Sequence, residues 1–271
     1  MRSWAIEPNR VYVMGIVNVT PDSFYDGGWH ATANAAIAHG LDLVAQGADL
    51  LDLGGESSRP GATPVSAQQE VDRILPVIEG IRSESDLPIS VDTTKAAVAH
   101  AALAAGAKMI NDISALRFDP DMANTIAAFH GWVVLMHMRG TPETMQRAPV
   151  YAEVVSEVQT FLRERIAAAS DAGIDRKRII VDPGIGFGKT LEHNLALLRQ
   201  LDEIVALGVP VLVGASRKSF LGAVNDVPPE DRLPGTIAAH TAAVLRGARL
   251  IRVHDVAEGR RAADVACRLR S

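Results

Sequence analysis

Apolar residues recur in eight short runs, and a polar or charged residue follows each run closely. The runs are 11–17 before Asn18, 50–53 before Gly54-Gly55-Glu56, 89–91 before Asp92, Met109-Ile110 before Asn111, and 132–136 before His137. The last three are 179–181 before Asp182, 211–213 before Ser216-Arg217-Lys218, and Leu250-Ile251 before Arg252-Val253-His254. Between them, apolar residues at three- and four-residue spacing predict helices over 34–46, 66–82, 94–105, 120–129, 151–172, 191–207, 235–246 and 256–269. Glycines at 47, 106, 131, 173, 208 and 247 stand just past six of these, where a left-handed residue ends a helix. Asp119-Pro120 reads as an N-cap followed by proline at the first helical position, and Asp255 with Glu258 has capping-box spacing.

Strand then helix, eight times over, with strands that do not alternate strictly, predicts parallel strands buried on both faces. A barrel and an open doubly wound sheet both meet that pattern; eight units without a spare C-terminal block favour the barrel. The expectation is an α/β fold: one eightfold β/α (TIM) barrel over residues 1–271, with its active site at the C-terminal ends of the strands. Longer loops at 20–33, 57–65, 140–150 and 219–234 fall at those ends, and loops of that length in a compact domain are usually functional.

Composition narrows the partners. With 271 residues, 48% hydrophobic and 22% charged, the chain has the make-up of a soluble globular protein and the length of one such barrel. A net charge of −5 argues against nucleic-acid binding, so an anionic ligand must meet a local basic cluster. Cys267 is the only cysteine, which excludes an internal disulfide and fits a reducing cytoplasm. The first residues lack the apolar core of a signal peptide, and no run approaches a membrane span.

The strand-end residues sort by chemistry. Asp92, Asn111 and Asp182 offer two carboxylates and an amide, which suit a flat heterocycle with donors and acceptors on its rim, such as a pterin or a purine. As a metal site they are weaker, because no His-x-His, His-x-x-x-His or cysteine cluster accompanies them. Asp92 and Asp182 also read as caps of a following turn. The segment 182–190, DPGIGFGKT, is out of register for both the phosphate loop and the dinucleotide fingerprint. Its three glycines fit a backbone wall against a flat ligand. Arg59, Arg217, Lys218, Arg252 and His254 form a cationic set for phosphate, diphosphate or carboxylate, although each alone is also an ordinary surface charge. Lys218 as a Schiff-base lysine is the competing reading, disfavoured by the adjacent Arg217. Of the eight histidines, only His137 and His254 end strands, and Met136 is placed to touch a ring.

Seven ordered motifs carry a family resemblance: NVTPDSFYDGG at 18–28, GGESSRPG at 54–61, SVDT at 90–93, INDI at 110–113, DPGIGFGK at 182–189, GASRKS at 214–219 and RVHD at 252–255. In this order, across nearly the whole chain, they resemble dihydropteroate synthase. Tyr25 and Ser58 depart mildly from the usual family pattern, at positions that bear on the second-substrate pocket.

The resemblance implies condensation of 6-hydroxymethyl-7,8-dihydropterin diphosphate with p-aminobenzoate, with Mg²⁺ held in part by Asn18. It implies that Asp92, Asn111, Asp182 and Lys218 bind the pterin, with Met136 and Phe187 near the ring. Arg252 and His254 then face the departing diphosphate, and Phe24, Ser58, Arg59, Pro60 and Ser219 surround p-aminobenzoate, where sulfonamides compete. Catalytic roles fall to Asn18, Arg59, Asp92, Lys218, Arg252 and His254, and a homodimer is implied. The Gly/Pro-bearing loops at 20–33 and 57–65 are expected to order after the pterin binds. The rival, a pterin-binding module of a corrinoid methyltransferase, shares the carboxylates but has little use for Arg252, His254 and 216–219.

Overall fold

Side chains alternate across each strand, and in this computed structural model one parity of that alternation fills a barrel. It describes residues 5–7, 9–19, 28–57, 63–146 and 148–270. The eight runs form β1 (Tyr12–Asn18), β2 (Leu50–Gly54), β3 (Ile89–Asp92), β4 (Met109–Asp112), β5 (Trp132–Met136), β6 (Ile179–Asp182), β7 (Leu212–Val213) and β8 (Leu250–Val253). All pair in parallel, in the order β6-β5-β4-β3-β2-β1-β8-β7. A parallel bridge from Val181 to Val211, with the Val181 amide donating to Pro210 at 3.0 Å, joins β6 to the start of β7 and closes the ring.

Tyr12, Met14, Leu50, Met109, Val134, Ile180, Leu212 and Leu250 pack together inside the barrel. The opposite parity packs against the helices in a larger apolar shell that includes Val13, Leu51, Val91, Ile110, Val133, Val181, Val213 and Ile251. Two residues beyond the inner layer, on the same face, stand Ile16, Asp52, Asn111, Met136, Asp182, Gly214 and Arg252, with Asp92 following Ser90 on β3. Period-two geometry therefore places the polar strand-end groups in one layer above an apolar plug.

Among the described residues the helices are α1 (Gly28–Ala45), α2 (Ala67–Glu84), α3 (Ala96–Ala104), α4 (Met122–Ala128), α5 (Val154–Asp171), α6 (Leu191–Arg199), α7 (Leu201–Val205), α8 (Ser219–Asn225), α9 (Leu233–Leu245) and α10 (Val256–Arg270). Three departures from the sequence reading have local causes. The expected helix over 191–207 breaks at Gln200, whose φ of −118° and ψ of 36° divide it into α6 and α7. The expected loop at 219–234 contains α8 and a 3₁₀ turn at Pro229–Asp231. The expected loop at 20–33 already enters α1 at Gly28.

Asp119 serves two helix starts: its Oδ1 accepts from the Asp121 amide at 3.0 Å at the entry to α4, as expected, and its Oδ2 accepts from the Ala96 amide at 2.7 Å and so caps α3. The Asp255 carboxylate, expected to cap α10, meets Arg217 instead. At the exit of α4 the left-handed residue is His130 (φ 51°) rather than Gly131. Helix α9 buries Thr236, Ala239, His240, Ala243 and Val244 in the packing of its own barrel. No helix among the described residues is long and apolar enough to cross a membrane.

Candidate functional site

The polar layer opens into a pocket at the C-terminal ends of the strands. It is lined by Asp92 from β3, Asn111 from β4, Met136 from β5, Asp182 from β6 and Arg252 from β8, with Ile16, Ile113, Phe187, Gly214, Ser216, Lys218 and His254 around them. Asp92, Asn111 and Asp182 share this lining with Lys218, Arg252 and His254.

Arg252 organises the floor. Its Nε donates to Asp52 Oδ2 at 2.6 Å and its Nη2 to Asp92 Oδ2 at 3.1 Å. Burial works against the guanidinium charge, but Asp52 and Asp92 outweigh it and hold its pKa above the ordinary value. Burial dominates for Asp92 and pushes its pKa up to about 7; Arg252 pulls it down and Asp52 adds to the rise. Asp182 is also raised by burial, against the pull of Lys218 and the Gly184 amide, which donates to Oδ1 at 2.7 Å. Burial lowers Lys218 to about 8, against the pull of Asp182. A ligand with N–H donors and an anionic tail would complement these acceptors and cations.

The wall beside Asp182 is the glycine-rich turn over 183–188. Five consecutive carbonyls in it are each capped by a side chain: Gly184 and Phe187 by Lys189 Nζ (2.9 and 3.0 Å), Ile185 by Lys218, Gly186 by Gln146 (2.7 Å) and Gly188 by the Tyr151 hydroxyl (2.8 Å). Gly184 has φ 67°, and a Cβ there would lie 1.9 Å from the His137 carbonyl oxygen. The turn presents Phe187 with Lys218 Nζ 4.4 Å from its ring centroid. Phe187 also packs on a soft wall of Ile113, Met136, Met138 and Met145.

Residues 215–218 are held from behind by α9. The Ala215 amide donates to His240 Nε2 at 3.0 Å and the Arg217 amide to Thr236 Oγ1 at 2.9 Å. Burial, aided by Lys218, lowers His240 to about 3, so it is a neutral acceptor at any working pH. Ser216 Oγ accepts from the His254 amide at 3.1 Å and lies 2.9 Å from His254 Nδ1. These two contacts fix the orientation of the His254 imidazole at the pocket lining.

Two candidates, Arg217 and His137, need revision. Arg217 leaves the cationic set, since its exposed side chain forks onto Asp255. His137 is buried behind the glycine turn, its Nδ1 3.0 Å from Lys189 Nζ and its ring edge-on to Phe161. Burial and the Lys189 charge lower it to about 2. Ser219 is exposed at the start of α8, outside the pocket lining. Asn18 is exposed at the end of β1, in register with Gly54, which is itself in register with Asp92. Phe24, Ser58, Arg59, Pro60 and Tyr25 lie outside the described residues. The sequence reading missed Asp52, Ser216, Ile16, Ile113 and Lys189; inward parity was an available signal for Ile16 and Asp52.

A family profile described as pterin binding enzyme matches residues 14–254. A dihydropteroate synthase of a Synechocystis species is 48% identical over 248 residues, covering 91% of this chain and 86% of that protein. Among solved structures, Xanthomonas albilineans dihydropteroate synthase with 4-aminobenzoic acid superposes with a TM-score of 0.90 at 52% identity, over 97% of this chain and 94% of that one. The same organism's enzyme in complex with 7,8-dihydropteroate gives 0.88 at 48% identity, over 98% and 95%.

Proposed function

Since the chain belongs to the dihydropteroate synthase family of pterin-binding enzymes, we propose that its pocket binds a pterin diphosphate through the acceptor set and its diphosphate through the cations. The enzyme joins 6-hydroxymethyl-7,8-dihydropterin diphosphate to p-aminobenzoate, yielding dihydropteroate and pyrophosphate for folate biosynthesis. One observation supports the division of labour above the others: Asp92, Asn111 and Asp182 line the same pocket as Lys218, Arg252 and His254.

The amine lone pair of p-aminobenzoate attacks the exocyclic methylene carbon, the carbon–oxygen bond to the diphosphate breaks, and its electron pair leaves with pyrophosphate. The amine then sheds a proton. An aryl amine is neutral near pH 7 and needs no strong base, so the chain's main task is to carry charge growing on the leaving oxygen. In this reading Arg252 and Lys218, with the His254 imidazole, carry that charge. Asp182 and Asp92 accept ring N–H groups, and Met136 and Phe187 cover the ring.

Magnesium bound with the diphosphate would neutralise charge on the departing group. Among the described residues no three His, Cys, Asp or Glu side chains gather into an ion site. One amide oxygen from Asn18 fits a cation that arrives on the diphosphate and keeps most of its ligands from phosphate and water. A homodimer is consistent with the exposed Leu245, Val265 and Leu269 on the adjoining helices α9 and α10; sedimentation velocity reports it.

The test of the reaction is direct. Purified chain with both substrates and Mg²⁺ should release pyrophosphate and dihydropteroate in equal amounts, and no product would overturn the reading.

A further inference from the structure

Beneath the pocket lies a carboxylate that the substrate set does not include. Asp52 projects inward from β2, two residues beyond Leu50 of the apolar plug, and is fully buried. Its Oδ2 accepts from two groups that do line the pocket: Asn111 Nδ2 from β4 at 3.0 Å and Arg252 Nε from β8 at 2.6 Å. Its Oδ1 is buried without a donor, as is the hydroxyl of Ser90, its register partner on β3. A buried carboxylate with one oxygen unused is a poor device for stability alone.

A carboxylate only accepts hydrogen bonds. The end of the Asn111 amide that faces Asp52 must therefore be the NH₂ group, which turns Oδ1 away from it, toward the pocket. Asn111 stands beside Asp92 in register, so the adjoining edge of the pocket offers acceptors at two successive positions. A ring that carries N–H there is matched; a ring with a lone pair at the same nitrogen meets an acceptor with an acceptor. The 7,8-dihydropterin ring has N–H at position 8, whereas the fully oxidised pterin has a lone pair.

We propose that Asp52 is a positioning residue that fixes the Asn111 amide with its oxygen toward the ligand, and thereby makes the pocket select the reduced dihydropterin ring over the oxidised one. The inference rests on the reading that Asn111 faces the pterin. Through Arg252, the same carboxylate ties ring recognition to the cation that meets the diphosphate.

The test is anaerobic calorimetry with 6-hydroxymethyl-7,8-dihydropterin and its oxidised counterpart. The unsubstituted chain should prefer the reduced ring by about tenfold or more. Asp52→Leu takes away the acceptor and leaves neither end of the Asn111 amide preferred, so the ratio should collapse toward one. Asp52→Asn keeps an oxygen toward Arg252 Nε and the Asn111 NH₂ group, so it should retain the preference. A merely structural Asp52 would leave the ratio unchanged in both variants.

A ratio near one in the unsubstituted chain overturns the inference even if no variant folds. So does a ratio that Asp52→Leu leaves intact in a folded protein, or one that Asp52→Asn abolishes. If Asn111→Ala binds both rings as tightly as the unsubstituted chain, the placement of the pterin fails instead.

Discussion

Arg252 Nη2 donates to Asp92 Oδ2 at 3.1 Å across the pocket floor, from the last strand to the third. The pair joins the cation proposed to meet the leaving group to an acceptor proposed to meet the ring. Its pH behaviour follows from burial. Asp92 titrates near about 7, so below that pH it holds a proton and loses acceptor strength. Lys218 titrates near about 8 and loses its charge above that pH. The kcat/KM for pterin diphosphate should therefore rise toward about pH 7 and fall beyond about 8, since this ratio reports groups of the free enzyme. Asp92→Asn should remove the acidic limb and keep the alkaline one; a profile with both limbs unchanged would exclude Asp92 from the site.

Stability carries the opposite signature. The folded-state pKa of Asp92 is raised, so the native chain holds this proton more tightly than the unfolded chain. Its contribution is fully present below the unfolded pKa and is lost as pH rises through about 7. Lys218 is lowered, so the unfolded chain binds its proton more tightly. Its cost is present below about 8 and relieved as pH rises toward the ordinary lysine value. Denaturant midpoints between pH 5 and 7 should fall with rising pH in the parent chain, and less steeply in Asp92→Asn.

Lys218→Ala removes a half-buried cation that stands between Asp182 and the Phe187 ring. The loss in kcat/KM should correspond to about 2 to 5 kcal/mol, much of it from leaving Asp182 uncompensated. Steady-state kinetics checks this, and unchanged values would remove Lys218 from the site.

Gly184→Ala should be more damaging to folding than any pocket substitution. The new Cβ would lie 1.9 Å from backbone oxygen, at a φ of 67°, and neither strand nor turn can yield cheaply. A loss of about 3 kcal/mol or more is expected, which thermal unfolding would show as a fall of roughly 6 to 12 °C.

Lys189→Met should loosen the glycine turn without touching a substrate. It strips the caps from the Gly184 and Phe187 carbonyls and the contact with His137, at about 2 to 4 kcal/mol. Because the same turn presents Phe187, KM for the pterin should rise more than kcat falls. Equal unfolding midpoints in the two proteins would contradict the capping role.

The strands were legible because each apolar run is as long as a strand and ends where polarity returns. Period two then carries the argument to the site: residues two beyond Met109, Val134, Ile180 and Leu250 are Asn111, Met136, Asp182 and Arg252. The same step finds Asp52, hidden only because its run reads as apolar on average. What stayed illegible depends on where long side chains turn. Arg217 follows the strand end as Lys218 does, yet its backbone is left-handed (φ 54°) and Asp255 captures its guanidinium. His137 ends a strand like His254, but its ring packs outward against Phe161. Asp119 meets the Asp121 amide as its place before Pro120 suggests, but its second carboxylate oxygen serves α3, a partner that lies elsewhere in the fold.

The division of the pocket into a ring half and a diphosphate half is the central claim, and two ligands titrated separately by calorimetry test it. Asp182→Asn should weaken 6-hydroxymethyl-7,8-dihydropterin by about tenfold or more while leaving pyrophosphate with Mg²⁺ within about twofold, since one misplaced hydrogen-bond partner costs about 1 to 3 kcal/mol. His254→Ala should do the reverse. Equal losses for both ligands in both variants, or normal pterin affinity in Asp182→Asn, would contradict the account.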